Sequence, residues 1–322
     1  MSRAPKKLIV DDEERFLTRA AWAYYMEGMT QSEVAEKLGA TRLRVNKALA
    51  DGRRRGLIRI TFNTQYAACA EAEAALSERY GLAKTYVAPS PSDQRDVQVM
   101  VGAALGHLLS EVLSEPHVKL FGMSWGNTLN IATRFVAAID RPDMEVVSVM
   151  GGLTRGSDTN AFEITTRLAD LLGAQHSYFP APLYAGSAQS RDTIMGLDVF
   201  QEVLNKIRSV DAIVMAAGDL SPRSLLVRDG LPSDISHEEL AAHGAVGDIL
   251  GTMIDMDGQP IDHPINERLI GIGFDDLGPI DNVIMAAGGL HKVDVVTAVL
   301  KRGVVDTFVT DEATAKAVLE MG

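Results

Sequence analysis

Cysteine is almost absent from this sequence, and its scarcity excludes several kinds of site. Cys69 is the only cysteine among 322 residues, so the chain forms neither an intrachain disulfide nor a zinc site built from thiolates. No apolar run approaches the length needed to span a bilayer, and the basic N-terminus lacks the apolar stretch of a secretory signal. We therefore expect a cytoplasmic protein without a membrane partner, in which Cys69 packs in a core.

Charge is distributed very unevenly along the chain. The formal net charge is −12, yet residues 1–62 hold 13 Lys and Arg against 8 Asp and Glu. The other 260 residues hold 18 against 35. A basic segment attracts polyanions such as nucleic acid, and an acidic remainder keeps other surfaces away from them. The alternative is a solvated helix face, which is the commoner origin of a charge run.

The helix signals within the basic segment have the spacing of a helix-turn-helix. Residues 15–27 carry an apolar stripe of helical period that Gly28 ends. Thr30 and Glu33 then form the pattern of a capping box, which predicts a second helix through Leu38.

A third helix and a strand complete the pattern of a winged helix-turn-helix. Gly39 provides the turn, and Thr41 is the expected N-cap of a helix that runs to about Arg55. Gly56 closes this helix, and the alternating residues 57–62, "LIRITF", predict the wing. Spacing, caps and local charge together favour DNA binding over a solvated face.

Polar side chains near the start of the third helix are candidates for reading bases. Arg42, Arg44 and Asn46 match the major-groove edges of guanine and adenine. The arginines that follow are expected to contact phosphates, which position the protein without specifying sequence. The predicted DNA-binding residues are Thr41, Arg42, Arg44, Asn46, Lys47, Arg53, Arg54, Arg55 and Arg59.

The length of the chain predicts more than one core, and its composition is that of ordinary globular domains. We expect a DNA-binding domain at 1–62, a linker helix and loop at 63–90, and a large domain at 91–322. The linker helix is rich in alanine, and two roles stay open for it. It either brings protomers together or serves as a tether.

Apolar runs alternate with helical stretches in the large domain. Predicted strands lie at 118–123, 144–150, 176–179, 211–217, 282–287 and 306–310. Predicted helices include 128–138, 160–172, 191–207 and 291–302. This alternation predicts an α/β fold in which helices cover both faces of a parallel sheet, and ligands bind outside the carboxyl ends of such strands.

Gly-rich loops follow several of these strands, as at 124–128, 151–156, 218–221 and 288–292. Glycines let backbone N–H groups approach a ligand, so several such loops at one edge indicate a polar small-molecule site. Lys292 lies at the start of a predicted helix, where the macrodipole disfavours a cation. An acid or an anionic ligand nearby would offset this, and the alternative is a solvent-facing lysine.

Two aspartates and a tryptophan are each open to two interpretations. Asp219 and Asp248 are expected either to bind hydroxyl groups of a ligand or to be solvated carboxylates without a ligand. Trp125 is a core residue or closes over a ligand.

An enzymatic alternative rests on the pattern Gly122-x-Ser124-x-Gly126, which matches a nucleophile elbow between a strand and a helix. Aspartates and histidines follow in the order that a serine hydrolase requires. The dinucleotide fingerprint fails at residues 271–278, because Asp276 replaces the third glycine. The "DMDG" segment suits a hairpin turn better than a calcium loop.

The sequence resembles the SorC/DeoR-type sugar-responsive transcriptional regulators over nearly its whole length. The resemblance rests on "EGMTQSEVAEKLGATRLRVNKAL" with "GLIRI", then "FGMSWGNTL", "PAPLY", "HGAVGDILG" and "MAAGGLHKVDVVTAVLKRGVVDTFVTDEATA". It implies a winged helix-turn-helix followed by a Rossmann-like parallel-sheet effector domain, similar to glucosamine-6-phosphate deaminases and ribose-5-phosphate isomerases. It also implies homodimers or homotetramers. Leu43 and Arg44 depart from the Pro-Thr or similar small residues of many relatives.

The resemblance also implies an effector site around the loop after the first predicted strand. The implied effector-binding residues are Ser124, Trp125, Gly126, Asn127, Thr128, Gly151, Gly152, Asp219 and Lys292. We predict a ligand-responsive regulator of a carbohydrate or polyol catabolic operon, without catalytic residues, metal or cofactor. Its predicted partners are duplex operator DNA and a sugar, polyol or sugar phosphate. The alternative on the same fold is a sugar-phosphate isomerase or deaminase, against which the attached DNA-binding module argues.

Overall fold

The computed structural model describes residues 12–58, 64, 66–91, 93, 96–153 and 160–321. The chain divides into two compact units, Met1–Thr64 and Gln65–Gly322. Most of the predicted wing, with Arg59, lies outside the described residues.

Three helices form the described part of the smaller unit. Helix α1 spans Asp12–Ala21 and continues into a wider π-helical turn at Trp22–Met26. Helix α2 spans Gln31–Lys37, and α3 spans Arg42–Arg54. The three helices predicted from periodicity and caps are therefore confirmed.

The predicted caps fix where α2 and α3 begin. Thr30 Oγ1 accepts a hydrogen bond from the backbone N–H of Glu33 at 3.3 Å, and the Glu33 carboxylate accepts one from the Thr30 N–H at 2.7 Å. Thr41 Oγ1 accepts a hydrogen bond from the Arg44 N–H at 3.2 Å. Each cap satisfies a donor that a helix N-terminus leaves unpaired, and is worth about 1 kcal/mol.

Small side chains let the helices of this unit pack closely. A Cβ at Gly52 would lie 2.5 Å from Ile58 Cδ1 and 2.9 Å from Leu17 Cδ2, so α3 meets these side chains without room for a methyl group. Among the described residues, a buried apolar cluster is formed by Ala20, Ala23, Val34, Ala35, Val45 and Leu49.

Ten strands form two sheets in the described part of the larger unit. In chain order they are β1 Lys84–Ala88, β2 Leu120–Met123, β3 Glu145–Ser148, β4 Gln175–Ser177, β5 Ala212–Met215, β6 Ala217–Asp219, β7 Gly247–Ile249, β8 Thr252–Ile254, β9 Val283–Ala286 and β10 Thr307–Asp311. Seven of them pair in parallel in the order β1-β10-β9-β5-β2-β3-β4, and β6-β7-β8 form an antiparallel sheet. After β2 the chain adds β3 and β4 on one side of the sheet. After β5 it adds β9 on the opposite side, and β10 lies beyond β9. The order therefore reverses between β2 and β5.

Helices connect most of these strands. They are α4 Ala67–Tyr80, α5 Val97–Ser114, α6 Asn127–Ala132, α7 Ala161–Leu172, α8 Ala188–Met195, α9 Asp198–Arg208, α10 His237–Ala242, α11 Pro264–Glu267, α12 Val293–Arg302 and α13 Glu312–Met321. The mainly parallel α/β architecture was predicted, as were six strands of the large sheet. The single helix expected at 191–207 is two helices, because the chain turns at Gly196 and Leu197 between α8 and α9.

The antiparallel sheet was not predicted. The apolar run at 211–217 suggested one strand, but the structure divides it at Ala216 into β5 and β6, which belong to different sheets. Gly218 of β6 pairs with Asp248 of β7. The turn expected at 255–258 is confirmed, since the Gly258 N–H donates to the Asp255 carbonyl at 3.0 Å.

Helix α5 corrects the expectation about apolar runs. Its 18 residues are long and apolar enough to cross a membrane by length and composition. In this fold α5 packs on α6 and on strands β1, β9 and β10. A Cβ at Gly102 would lie 2.6 Å from Ile131, and one at Gly106 would lie 2.5 Å from Phe135, so its glycines admit α6 at close range. Helix α5 is a core helix, which explains its apolar composition.

The helix expected within the linker belongs to the larger unit. Helix α4 packs on β1 and on α13, and it buries Cys69, Ala72 and Leu76. Burial also raises the pKa of the Cys69 thiol, as expected for a cysteine that packs in a core.

Candidate functional site

A cavity of about 530 Å³ lies at the carboxyl edge of the parallel sheet, and loops that follow β2, β5 and β9 line it. It adjoins the point where the strand order reverses, which is where open α/β sheets bind ligands. Six of the predicted effector-binding residues line it: Trp125, Gly126, Asn127, Thr128, Asp219 and Lys292.

Lys292 is the buried cation of this cavity. Only 9% of its surface is exposed, and its Nζ donates a hydrogen bond to the Ala217 carbonyl at 2.8 Å. Burial lowers the pKa of the ammonium group, and the carboxylates of Asp219 and Asp248 oppose this effect. The solvent-facing alternative is therefore wrong, and Lys292 has the acidic neighbours that its position required.

Asp248 is a second buried carboxylate, and its charge interacts with that of Lys292. One of its oxygens accepts a hydrogen bond from the Gly251 N–H at 3.0 Å. Burial nevertheless raises its pKa to about 6, and the nearby Asp219 charge adds to the rise. Gly218 passes directly beside it, because a Cβ there would lie 2.1 Å from an Asp248 oxygen.

Asp219 lies beside His291, and both residues line the cavity. One Asp219 oxygen accepts a hydrogen bond from the Ser221 N–H at 2.7 Å, and the other lies 3.7 Å from Nε2 of His291. Burial lowers the pKa of His291, an effect that Asp219 partly offsets. The cavity thus brings together two carboxylates, an ammonium group and an imidazole. These groups can accept hydrogen bonds from the hydroxyls of a ligand and donate hydrogen bonds to them.

Ser124 lies behind the cavity rather than on its lining. It is 1% exposed, and its hydroxyl donates to the Met150 sulfur at 3.6 Å instead of to a histidine. Its backbone N–H donates to the Val214 carbonyl at 3.0 Å, which fixes the end of β2 against β5. This geometry gives Ser124 no activating base, as a nucleophile would need.

Gly151 and Gly152 also lie apart from the cavity, so the expectation that they surround it is not met. Their backbone N–H groups donate to the carbonyls of Ile270 and Ala181. A Cβ at Gly151 would lie 2.4 Å from the Pro182 carbonyl oxygen, which explains the need for glycine. Gly152 lines a second cavity of about 350 Å³, which shares Arg228 with the first.

Asp311 organises the loop that carries Lys292. It is buried at the end of β10, and one of its oxygens accepts a hydrogen bond from the Gly289 N–H at 3.0 Å. The other accepts bonds from the Ser90 hydroxyl at 3.0 Å and the Thr314 N–H at 3.2 Å. Asp311 therefore ties together the segments that follow β1, β9 and β10. A carboxylate between an apolar strand and a helix is the capping signal by which the sequence indicates this role.

The predicted DNA-reading residues lie on α3 with different surroundings. The side chains of Arg42, Asn46 and Lys47 are exposed. Arg44 turns toward α1, where its guanidinium lies 3.2 Å from a Glu13 carboxylate oxygen and 4.2 Å from the centre of the Phe16 ring. The structure thus gives Arg44 partners within the domain, which the sequence did not predict.

The remaining predicted contacts lie at the two ends of α3. Thr41 caps the helix, so its hydroxyl already has a backbone partner. Arg53 is exposed near the other end, whereas Arg54 and Arg55 form ion pairs with Asp51, one turn earlier.

Several lining residues were not predicted, among them Gln98, Arg223, Arg228 and His291. Gln98 lies at the start of α5, and the loop before it could not be placed at the sheet edge without recognising β1. Arg223 lies in the segment between β6 and α10, whose position depends on the unpredicted antiparallel sheet.

Comparison with known proteins identifies the family. Residues 64–320 match the family model described as "Putative sugar-binding domain". The chain is 32% identical over 311 residues to the transcriptional regulator LsrR of Escherichia coli O139:H28 (strain E24377A / ETEC), covering 95% of each chain. The chain belongs to the SorC/DeoR-type family of sugar-binding regulators.

Other members of the SorC/DeoR-type family extend the likeness to both units. The erythritol catabolism regulatory protein EryD of Brucella abortus (strain 2308) is 28% identical over 311 residues, which cover 97% of this chain and 98% of that protein. The crystal structure of the full-length sorbitol operon regulator SorC of Klebsiella pneumoniae aligns with a TM-score of 0.70 at 25% identity, over 96% of this chain and 100% of that one.

A DeoR-family regulator from Listeria monocytogenes shares the fold, with a TM-score of 0.71 at 23% identity over 78% of this chain and 99% of that one. In this SorC/DeoR-type chain, the matched sugar-binding domain therefore contains the whole lining of the cavity.

Proposed function

We propose that this protein is an effector-controlled, DNA-binding transcriptional regulator of a carbohydrate or polyol catabolic operon, acting in the cytoplasm as a homodimer or homotetramer. The observation that carries the proposal is the cavity at the sheet edge, where Asp219, Asp248 and Lys292 meet beside loops of small residues. The three capped helices of the smaller unit support the DNA-binding part of it.

The lining of the cavity favours a ligand that is rich in hydroxyl groups. Asp219 and Asp248 accept hydrogen bonds from hydroxyls, and Lys292 donates one. Trp125 and Leu226 supply an apolar wall for the C–H face of a sugar or polyol. Arg223 is exposed at the lining, and among the described residues no carboxylate lies within ion-pair distance of it, so a phosphorylated effector would find a cation there.

Control of DNA binding follows from a difference in effector affinity. An effector shifts the protein between two states only by as much as it binds one state better than the other. Effector binding in the larger unit would then alter how strongly paired DNA-binding units hold an operator. No residue of the cavity needs to touch DNA for this coupling.

A ligand screen tests the effector site directly. Sugars, polyols and their phosphates are added to the full chain, and a specific effector raises the melting temperature. Trp125 reports the same event by fluorescence, because the only other tryptophan, Trp22, lies in the smaller unit. A Trp22→Phe variant should keep the fluorescence response, and a Trp125→Phe variant should lose it.

Arg223→Ala separates the two classes of effector. Loss of the Arg223 guanidinium should lower the affinity for phosphorylated ligands and leave the affinity for neutral ligands unchanged. Stabilisation by hydrophobic ligands alone, without response to any sugar, polyol or phosphate, would contradict the proposal.

A further inference from the structure

Helix α3 presents a second stripe directly opposite its buried face. The buried residues of the helix are Val45, Leu49 and Gly52. Successive side chains are separated by about 100°, so positions on the far side recur at intervals of four and three residues. The opposite stripe consists of Leu43, Lys47, Ala50 and Arg54, all of them exposed.

Leu43 is an unusual member of that stripe. It is the second residue of α3, and 78% of its surface is exposed. A single exposed leucine is ordinary on a protein surface. This one occupies the N-terminal end of the helix, which in a helix-turn-helix enters the major groove and meets the base edges.

Arg44, the residue after Leu43, does not compete for that position, whereas Arg42 before it is exposed and lies beside it. Arg44 is turned aside by Glu13 and Phe16, as its distances show. Ala50 has a short side chain, which allows the middle of the stripe to approach the groove floor. Lys47 places an exposed cation along the same line, where it can neutralise a phosphate or reach a base acceptor. Arg54 adds a second cation, which is paired with Asp51.

We propose that Leu43 is a specificity-determining residue that selects a thymine by packing against its C5-methyl group. Leucine donates and accepts no hydrogen bond, and the thymine methyl is the apolar feature that base edges present in the major groove. This inference rests on the proposed DNA-binding function. It adds the class of base that α3 requires at one position of each half-site.

Uracil substitution removes that methyl group and nothing else. Duplexes are first enriched from a random pool by the full chain, and each thymine of the recovered site is then replaced by deoxyuridine. We expect one position per half-site at which wild-type affinity falls about fourfold, which corresponds to about 0.8 kcal/mol for one buried methyl-sized group. Leu43→Ala should bind the thymine duplex with the same loss and should show no further loss with uracil there.

Two control variants separate the contact from a general effect. Leu43→Met keeps an apolar side chain and should retain the preference for thymine. Leu197→Ala removes an exposed leucine from the larger unit and should respond to uracil as the wild type does.

The outcomes distinguish this inference from the function on which it rests. Specific binding in which no uracil substitution matters, or in which Leu43→Ala keeps the full uracil effect, overturns the role of Leu43 alone. Failure of the full chain to enrich any duplex overturns the DNA-binding function and the inference with it.

Discussion

Asp248 is a buried carboxylate of the proposed effector site, and its burial has a cost to the fold. It lies in the cavity floor with one backbone hydrogen bond and a lysine nearby, and these do not fully replace the water it has lost. Its pKa rises from 3.8 to about 6. A residue of this kind is a candidate for ligand binding because its hydrogen-bonding capacity is unsatisfied until a ligand enters.

The raised pKa predicts how stability depends on pH. A carboxyl group whose pKa is higher in the folded than in the unfolded state favours folding when it is protonated. Its contribution to the free energy of unfolding is therefore fully present below about pH 4 and is lost as the pH rises through about 6. Asp248→Asn should therefore raise the melting temperature at pH 7.5, by the equivalent of roughly 1–3 kcal/mol, and the difference from wild type should shrink toward pH 4.

Melting curves of both proteins from pH 4 to 8 measure this directly. Asp281→Asn is the matched control, because Asp281 is exposed and its removal should change little at any pH. A variant that is destabilised equally at every pH would show that Asp248 is a structural hydrogen-bond acceptor instead.

At the scale of elements, the small antiparallel sheet determines the chemistry of the site. Strand β6 carries Asp219 and β7 carries Asp248, and pairing of Gly218 with Asp248 brings the two carboxylates to one cavity. The close passage of Gly218 leaves no space for a side chain beside the Asp248 carboxylate.

Gly218→Ala should therefore push Asp248 from its position. We expect effector affinity to fall at least tenfold and stability to fall by about 1–3 kcal/mol, the usual range for overpacking. Gly278→Ala is the control, since a Cβ at Gly278 meets no atom within 4 Å. Calorimetric titration and thermal melting of the two variants check the prediction, and unchanged effector affinity in Gly218→Ala would contradict the assigned site.

The strands differ in whether the sequence predicts them. Strands β2, β3, β5, β9 and β10 were predictable because they are continuous apolar runs in a sheet that helices cover. Strand β1 begins with an exposed lysine and a half-buried threonine at the sheet edge, so no apolar run marks it.

Helix α5 was missed for the opposite reason. It has partners on several sides, and an apolar residue pattern that extends around a helix has no period to detect. Caps were predictable because a capping box is a local interaction. The resemblance placed Asp219 and Lys292 in one site, but the position of Asp248 beside them was not predictable, because it depends on pairing between β6 and β7, about thirty residues apart.

At the scale of the whole molecule, the charge asymmetry separates two tasks. The first 62 residues carry an excess of basic side chains and the rest an excess of acidic ones. Polyanionic DNA is attracted to the basic segment and repelled by the acidic remainder of the chain. The affinity for DNA should therefore fall steeply as salt concentration rises. The cavity that we propose binds the effector is lined only by residues of the acidic unit.

The account therefore requires effector and DNA to influence each other through the protein. Coupling between two ligands is reciprocal, so the factor by which effector changes DNA affinity must equal the factor by which DNA changes effector affinity. Lys292→Ala should weaken effector binding and leave the affinity for DNA without effector nearly unchanged, because Lys292 belongs to the cavity of the larger unit.

The most direct test is a titration of enriched operator duplex with the full chain, followed by fluorescence anisotropy, with and without the effector found in the screen. We predict that saturating effector changes the DNA dissociation constant of the wild type at least fivefold. In Lys292→Ala the same change should require a higher effector concentration, from the same starting affinity. A wild-type DNA affinity that does not change when the cavity is saturated with effector would contradict the account.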